Sequence, residues 1–174
     1  GIGFSLDLPY ISLEGSTYFL NLNGVSDGIV KVDASTYRLQ HENHLKLTTS
    51  CSGPPPTSAC SWIVIDKAGT VYKFGDTLDS YRYWKDNAEC AFVPGCTAPE
   101  HPYRWDLSTA TDVHGNSYSV TYQQATAFAH WSFRNSTLPP IPYVMASYPS
   151  TITYNQGGVA EAQIRFTTET NYTH

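Results

Sequence analysis

The side chains in this chain that could do chemistry are its histidines, aspartates, serines and cysteines, and their spacing decides what they could do. His41 and His44 flank Glu42 and Asn43, a spacing that brings two imidazoles to one metal only on a helix. The flanking residues read as strand and turn, so the two rings point to opposite faces and into solvent. Asp66 and Asp112 are the right residue types for a general acid and base. Each, however, opens an Asp-x-x-Gly turn, where a carboxylate serves the backbone N–H groups that follow it. Asp112 with Asn116 could offer oxygens to Ca²⁺, but the remaining ligands of a calcium loop are missing. A Ser-His-Asp triad has no fixed spacing, yet the chain has neither a Gly-x-Ser-x-Gly elbow nor a Gly-rich phosphate loop. These residues assign no catalytic role, metal or cofactor, and the chain reads as a non-enzyme.

The elements that would carry such residues show an internal echo. Trp62-Ile-Val-Ile-Asp66-Lys-Ala-Gly69-Thr-Val-Tyr72-Lys-Phe74 is answered by Trp105-Asp-Leu, then Asp112-Val-His-Gly115-Asn-Ser-Tyr118-Ser-Val120-Thr-Tyr122. Each copy reads as strand, tight turn, strand, with Gly supplying the positive φ of the loop. A repeated hairpin implies an architecture of stacked β units.

Composition agrees. The 174 residues fit one β-rich domain over 1–174, with 13 Tyr, 4 Trp and a single Met. Charged residues make up 14%, against about 25% in an ordinary soluble domain. The net charge of −5 and the absence of any basic run exclude a phosphate-tracking surface, so nucleic acid is not expected as a partner. No apolar stretch approaches the roughly 20 residues of a membrane span. The start at Gly1, without Met or signal peptide, reads as a processed or excised product.

Cysteines place the chain in an extracellular or cell-surface setting. Cys51 and Cys60 flank one Pro/Gly-containing loop, and Cys90 and Cys96 flank another. Four cysteines allow three connectivities, of which local pairing closes both loops. Zinc is the rival reading, and neither pair has its short ligand spacing. Sequons at Asn135 and Asn171 fit secretion and glycosylation.

Along the chain, Ile2, Phe4, Leu6 and Leu8 alternate strictly and read as a strand with one buried face. It lacks an evident hairpin partner and is a candidate to join a neighbour's sheet edge. Short strands are expected near 11–13, 18–22, 28–32, 36–39 and 44–47, then in the two echoed hairpins and a closing hairpin over 150–166. Residues 76–103 and 124–147 read as irregular, with Leu138-Pro-Pro-Ile-Pro142 unable to continue a ladder. The fold class is all-β: stacked antiparallel hairpins, as a sandwich or a shell- or propeller-like sheet, with two long loops containing disulfides and prolines. Trp62, Tyr72, Phe74, Trp105, Tyr118 and Tyr122 belong to the core or to cross-strand pairs. Tyr81, Tyr83, Trp84, Tyr103 and Trp131 fall in or beside irregular segments, where rings could stack on a glycan or meet a neighbouring subunit.

Several of these blocks together resemble the N-terminal region of plasmid-virulence-protein-B-type and toxin-complex B-component proteins. They are Gly-x-Gly-Phe-Ser-Leu-x-Leu-Pro-x-Ile over 1–11, Tyr37-Arg38-Leu39, the 62–75 hairpin, the 105–122 hairpin and Tyr148-Pro-Ser-Thr-Ile152-Thr-Tyr154. The second hairpin also resembles the tyrosine–aspartate repeats of the RHS family. The resemblance implies a β-stranded part of a large shell, or of a neighbouring propeller, in secreted toxins and surface proteins, with no catalytic residues to transfer. The cystine loops, the sequons and the short length depart from that pattern and argue against toxin encapsulation.

The leading expectation is therefore a non-catalytic, secreted structural module. It would be a building block of a cell-surface assembly or extracellular filament, partnered by itself or by other surface proteins. The alternative is a glycan-binding adhesin module using the aromatics named above.

Overall fold

The structure is a computed structural model that describes residues 7–33, 36–41, 44–52, 56, 58–85, 98–129 and 141–167. Among them there is no helix. Twelve strands form one antiparallel sheet: β1 (Tyr10–Glu14), β2 (Thr17–Leu22), β3 (Val25–Lys31), β4 (Thr36–Leu39), β5 (Lys46–Thr49), β6 (Trp62–Ile65), β7 (Val71–Phe74), β8 (Tyr81–Lys85), β9 (Glu100–Thr111), β10 (Ser117–Ala129), β11 (Ile141–Gln156) and β12 (Val159–Arg165).

β1 to β7 pair in chain order, β7 pairs with β9, and β9 returns to β1 through Ile11↔Trp105, closing an eight-stranded barrel. Closure replaces the expected sandwich or propeller. The echoed hairpins do not stack face to face. They lie side by side in one sheet, with Tyr72 opposite Ala110 on the neighbouring strand. A second circuit of pairings runs β9–β10–β11–β8 and back to β9. β12 extends the sheet from β11.

The barrel core follows from alternation. Ile11, Leu20, Leu47, Trp62, Val64, Phe74, Trp105 and Leu107 are fully buried, so their polar strand neighbours face outward. Tyr18 meets Trp62 edge-on at 4.9 Å and Trp105 at 5.7 Å, and Tyr37 meets Trp62 at 5.1 Å. Edge-to-face contact sets a positive ring rim against a negative ring face. Burial, with Tyr37 beside it, pushes the Tyr18 phenol up to about 12. The Trp105 indole N–H donates to the Cys60 carbonyl at 2.9 Å, tying the disulfide loop to the core. Cys51 and Cys60 are bonded, and Pro56 between them is fully buried. Cys90 and Cys96 lie outside the described residues.

Turn chemistry matches the sequence in detail. Asn23 and Gly24, with φ of 54° and 75°, make the two-residue turn between Leu22 and Val25. β3 thus starts at Val25, earlier than the strand expected from residue 28. Gly157 and Gly158 do the same between β11 and β12, with φ of 56° and 84°.

The two segments read as irregular contain strands among their described residues. Tyr81–Lys85 is β8, β9 begins at Glu100, and β10 and β11 continue pairing to Ala129↔Ile141. Pro142 stands in that ladder opposite Phe128, and Pro149 opposite Tyr122 beside a bulge. β8 escapes a periodicity reading because each of its residues is buried or half-buried, which removes the polar alternation. In β10 and β11 the alternation is blurred by apolar and aromatic side chains on the exposed face, Phe128, Met145 and Tyr148.

Gly75 marks the tightest contact. Its φ is +67°, and an added Cβ would lie 2.3 Å from Trp105 Cδ1. Gly75→Ala is expected to cost about 2–4 kcal/mol in urea denaturation, through left-handed strain and overpacking. Gly15→Ala, also at positive φ but with nothing within 4 Å of the added carbon, should cost only about 1 kcal/mol.

Candidate functional site

The echoed aspartates hold matching turns. Asp66 Oδ1 accepts from the Ala68 and Thr70 N–H groups, both at 2.9 Å, and Gly69 has φ +85°. Asp112 Oδ1 accepts from His114 N–H at 2.8 Å and Asn116 N–H at 2.9 Å, with Gly115 at φ +82°. The Asn116 side-chain amide donates to Asp112 Oδ2 at 2.9 Å, and this bond leads the effects that hold the Asp112 carboxyl below its ordinary value. Both carboxylates are occupied by their own turns. Among the described residues, no three His, Cys, Asp or Glu side chains gather to hold a metal ion. His41 is engaged elsewhere: its Nδ1 lies 3.0 Å from Asp27 Oδ1, and its backbone N–H donates to Asp27 Oδ2 at 3.0 Å. Burial pushes the Asp27 carboxyl up, but the bonds from His41 together outweigh it and leave the carboxyl lowered.

Because β7 and β9 pair, the two turns sit at one end of the barrel and bound a groove of about 540 Å³. Tyr72 from the first hairpin, Tyr118 from the second and Tyr154 of β11 share one cross-strand row through Ala110 and line it from one face of the sheet. Asn155 and Gln156 at the end of β11, Glu161 from β12, Asn23 and Asn116 add to the lining. The Tyr118 and Tyr154 ring centroids are 6.0 Å apart. Sequence reasoning singled out Tyr72, Tyr118, Asp112 and Asn116, but as core and turn residues. It missed Asn23, Tyr154, Asn155, Gln156 and Glu161 as members of one site, because only sheet closure assembles them.

The aromatics expected in loops are strand residues. Tyr81 is buried at 4% exposure and donates its hydroxyl to Glu100 Oε2 at 2.9 Å; burial, then that carboxylate, raises its phenol pKa. Trp84 stacks on buried His101 at 4.1 Å, and neither nitrogen of that imidazole has a partner among the described residues. Tyr103 donates its hydroxyl to the Val144 carbonyl. Tyr83 lies beside Tyr81, with Lys85 Nζ 5.5 Å from its ring. Trp131, Asn135 and Asn171 lie outside the described residues, as do Ile2, Phe4 and Leu6. Leu8 is half-buried against Val120, Tyr122 and Ile152.

A polar knot joins barrel and second circuit. Asp106, 3% exposed, receives Arg104 Nε at 2.7 Å and Arg82 Nε at 3.3 Å. Arg82 also donates to the Ser147 carbonyl of β11 at 3.3 Å, and Arg104 lies 3.6 Å over the Tyr10 ring. Nearby, Asp79 Oδ2 accepts the Tyr122 N–H at 2.6 Å.

Fold and site together define an antiparallel β-barrel module, extended by a ribbon whose hairpin end helps to wall a tyrosine- and amide-lined groove. The same fold occurs in the crystal structure of the toxin complex TcdB2-TccC3, at a TM-score of 0.55 and 12% identity over 88% of this chain. The match occupies 8% of that chain, so this chain spans a small part of the neighbour's length. No family model and no curated protein matches the sequence. The one described disulfide is compatible with an extracellular location, and no described helix is long and apolar enough to cross a membrane.

Asp27 and Asp112 ionise at lower pH folded than unfolded. Their stabilisation is therefore complete above the unfolded carboxylate value of about 4 and is lost as pH falls toward the folded values. Urea melts from about pH 5 down to about pH 2 should show a falling midpoint. The slope should be shallower in the double variant Asp27→Asn/Asp112→Asn.

Proposed function

We propose that this chain is a non-catalytic, secreted structural module, a building block of a cell-surface assembly or extracellular filament of the kind found in toxin-complex β shells. The observation that carries this reading is the outer edge of the sheet. β12 pairs with β11 on one side, is exposed along its whole length, and has no second partner strand among the described residues. Val159 and Ile164 on it are 65% and 46% exposed. An exposed edge with apolar side chains is a template for adding another strand. The likeness to a small portion of TcdB2-TccC3 supports the same reading, since a unit embedded in a long chain has neighbours on its flanks. The partner on this edge is a further β unit, from a second copy or from another surface protein.

Charged side chains on an edge strand oppose strand addition, which supplies the test. Sedimentation velocity over a wide concentration range should show the wild-type chain self-associating. Val159→Lys/Ile164→Lys should remain monomeric with an unchanged β spectrum. A wild-type chain that stays monodisperse and forms no particles under negative stain would defeat self-assembly.

The alternative of a glycan-binding adhesin rests, in sequence, on Tyr81, Tyr83, Trp84, Tyr103 and Trp131. The bonds made by Tyr81, Trp84 and Tyr103 within the sheet favour a packing role for those three.

A further inference from the structure

We propose that the groove between the echoed hairpins binds a neutral saccharide. The inference stands apart from the structural role, because it concerns the barrel end and not the β12 edge. The groove volume of about 540 Å³ lies within the roughly 300–1,000 Å³ of small-ligand sites. Its lining combines the two things a pyranose needs. Tyr154, 40% exposed, and Tyr118, tilted at 39° to it, present ring faces to the apolar C–H side of a sugar. Asn23 and Gln156 present side-chain amides, which both donate and accept and so match hydroxyls that do the same, and Asn116 and Asn155, whose amide nitrogens donate to Asp112 and Ser117, add carbonyl oxygens.

Charge narrows the ligand class. Asp112 and Glu161 line the groove, and among the described residues no Lys, Arg or His does. Two carboxylates without a cation repel phosphates, sulfated sugars and sialic acids. Glu161, exposed on β12, accepts from neutral hydroxyls, while Asp112 serves its own turn. A quaternary ammonium would use the rings and carboxylates but would leave the Asn23 and Gln156 amides idle. The amide set therefore favours a polyol over a cation.

The groove is also held in shape before a ligand arrives. Asp112 is pinned by three hydrogen bonds from its own turn, and Tyr72 donates to Asp66 Oδ2 at 3.3 Å. A site ordered in advance loses less entropy on binding.

The test is isothermal titration of the purified chain with cellotriose, chitotriose, maltotriose and mannotriose, alongside choline and sialyllactose. Saturable binding to at least one neutral trisaccharide is expected. Tyr154→Ala should weaken it about tenfold or more, and Asn155→Ala should weaken it in the same direction. Tyr154→Phe keeps the ring and should keep most of the affinity. Phe128→Ala, at an exposed position outside the groove, should change nothing. Melting curves of each variant separate lost binding from lost fold. Three results would overturn the proposal: no neutral sugar binds, binding is confined to choline or sialyllactose, or affinity survives in a folded Tyr154→Ala. The sedimentation result for the β12 edge is independent of all three.

Discussion

The structure depends on one strand serving two closures. β9 pairs with β1 and β7 to shut the barrel, and with β8 and β10 to shut the second circuit. Successive residues on a strand face opposite sides, and the centre of β9 uses that rule to serve both closures. Trp105 fills the barrel among Tyr18 and Trp62, while Asp106 beside it gathers Arg82 and Arg104. A buried carboxylate is tolerable only when it is paired and hydrogen-bonded, and Arg82 completes the arrangement by reaching the β11 backbone.

The echoed aspartates show how easily local structure can be mistaken for chemistry. In both turns the carboxylate collects N–H groups that the loop would otherwise leave unbonded. That use spends most of its acceptor capacity and makes a shared acid–base role unnecessary to explain it. The turns matter beyond themselves because β7–β9 pairing sets them side by side. Gly69 and Val113 come so close that a Cβ on the glycine would lie 2.6 Å from Val113 Cγ1. The groove is a consequence of that docking, and its lining continues onto a hairpin much later in the chain, through Tyr154 beside Tyr118.

Aromatic composition turns out to serve the interior more than the surface. Trp62, Phe74 and Trp105 are fully buried, and the tyrosines of β8 and β9 bond carbonyls and carboxylates within the sheet. Of the rings placed in or beside segments of weak pattern, Tyr81 is buried and Tyr83, Trp84 and Tyr103 are half-buried in strands. A strand covered on both faces has no polar face to reveal itself, so Tyr-Arg-Tyr-Trp-Lys reads like a loop and pairs like a strand. Pro142, read as a ladder breaker, stands opposite Phe128 in the β10–β11 pairing.

By itself the sequence determined what depends on near neighbours. That covers the all-β class, the matching Asp-x-x-Gly turns, the closing hairpin around Gly157-Gly158, the Cys51–Cys60 bond, and the identity of Trp62, Phe74 and Trp105 as core. Each follows from backbone sterics or from alternation over a few residues. Only the tertiary structure decided that the sheet closes, that β9 is shared, and that the rim tyrosines and amides face one groove. Those outcomes rest on pairings between residues far apart in the chain, such as Ile11 with Trp105 and Tyr118 with Tyr154. Twist and strand length select such partners, and no local pattern encodes them.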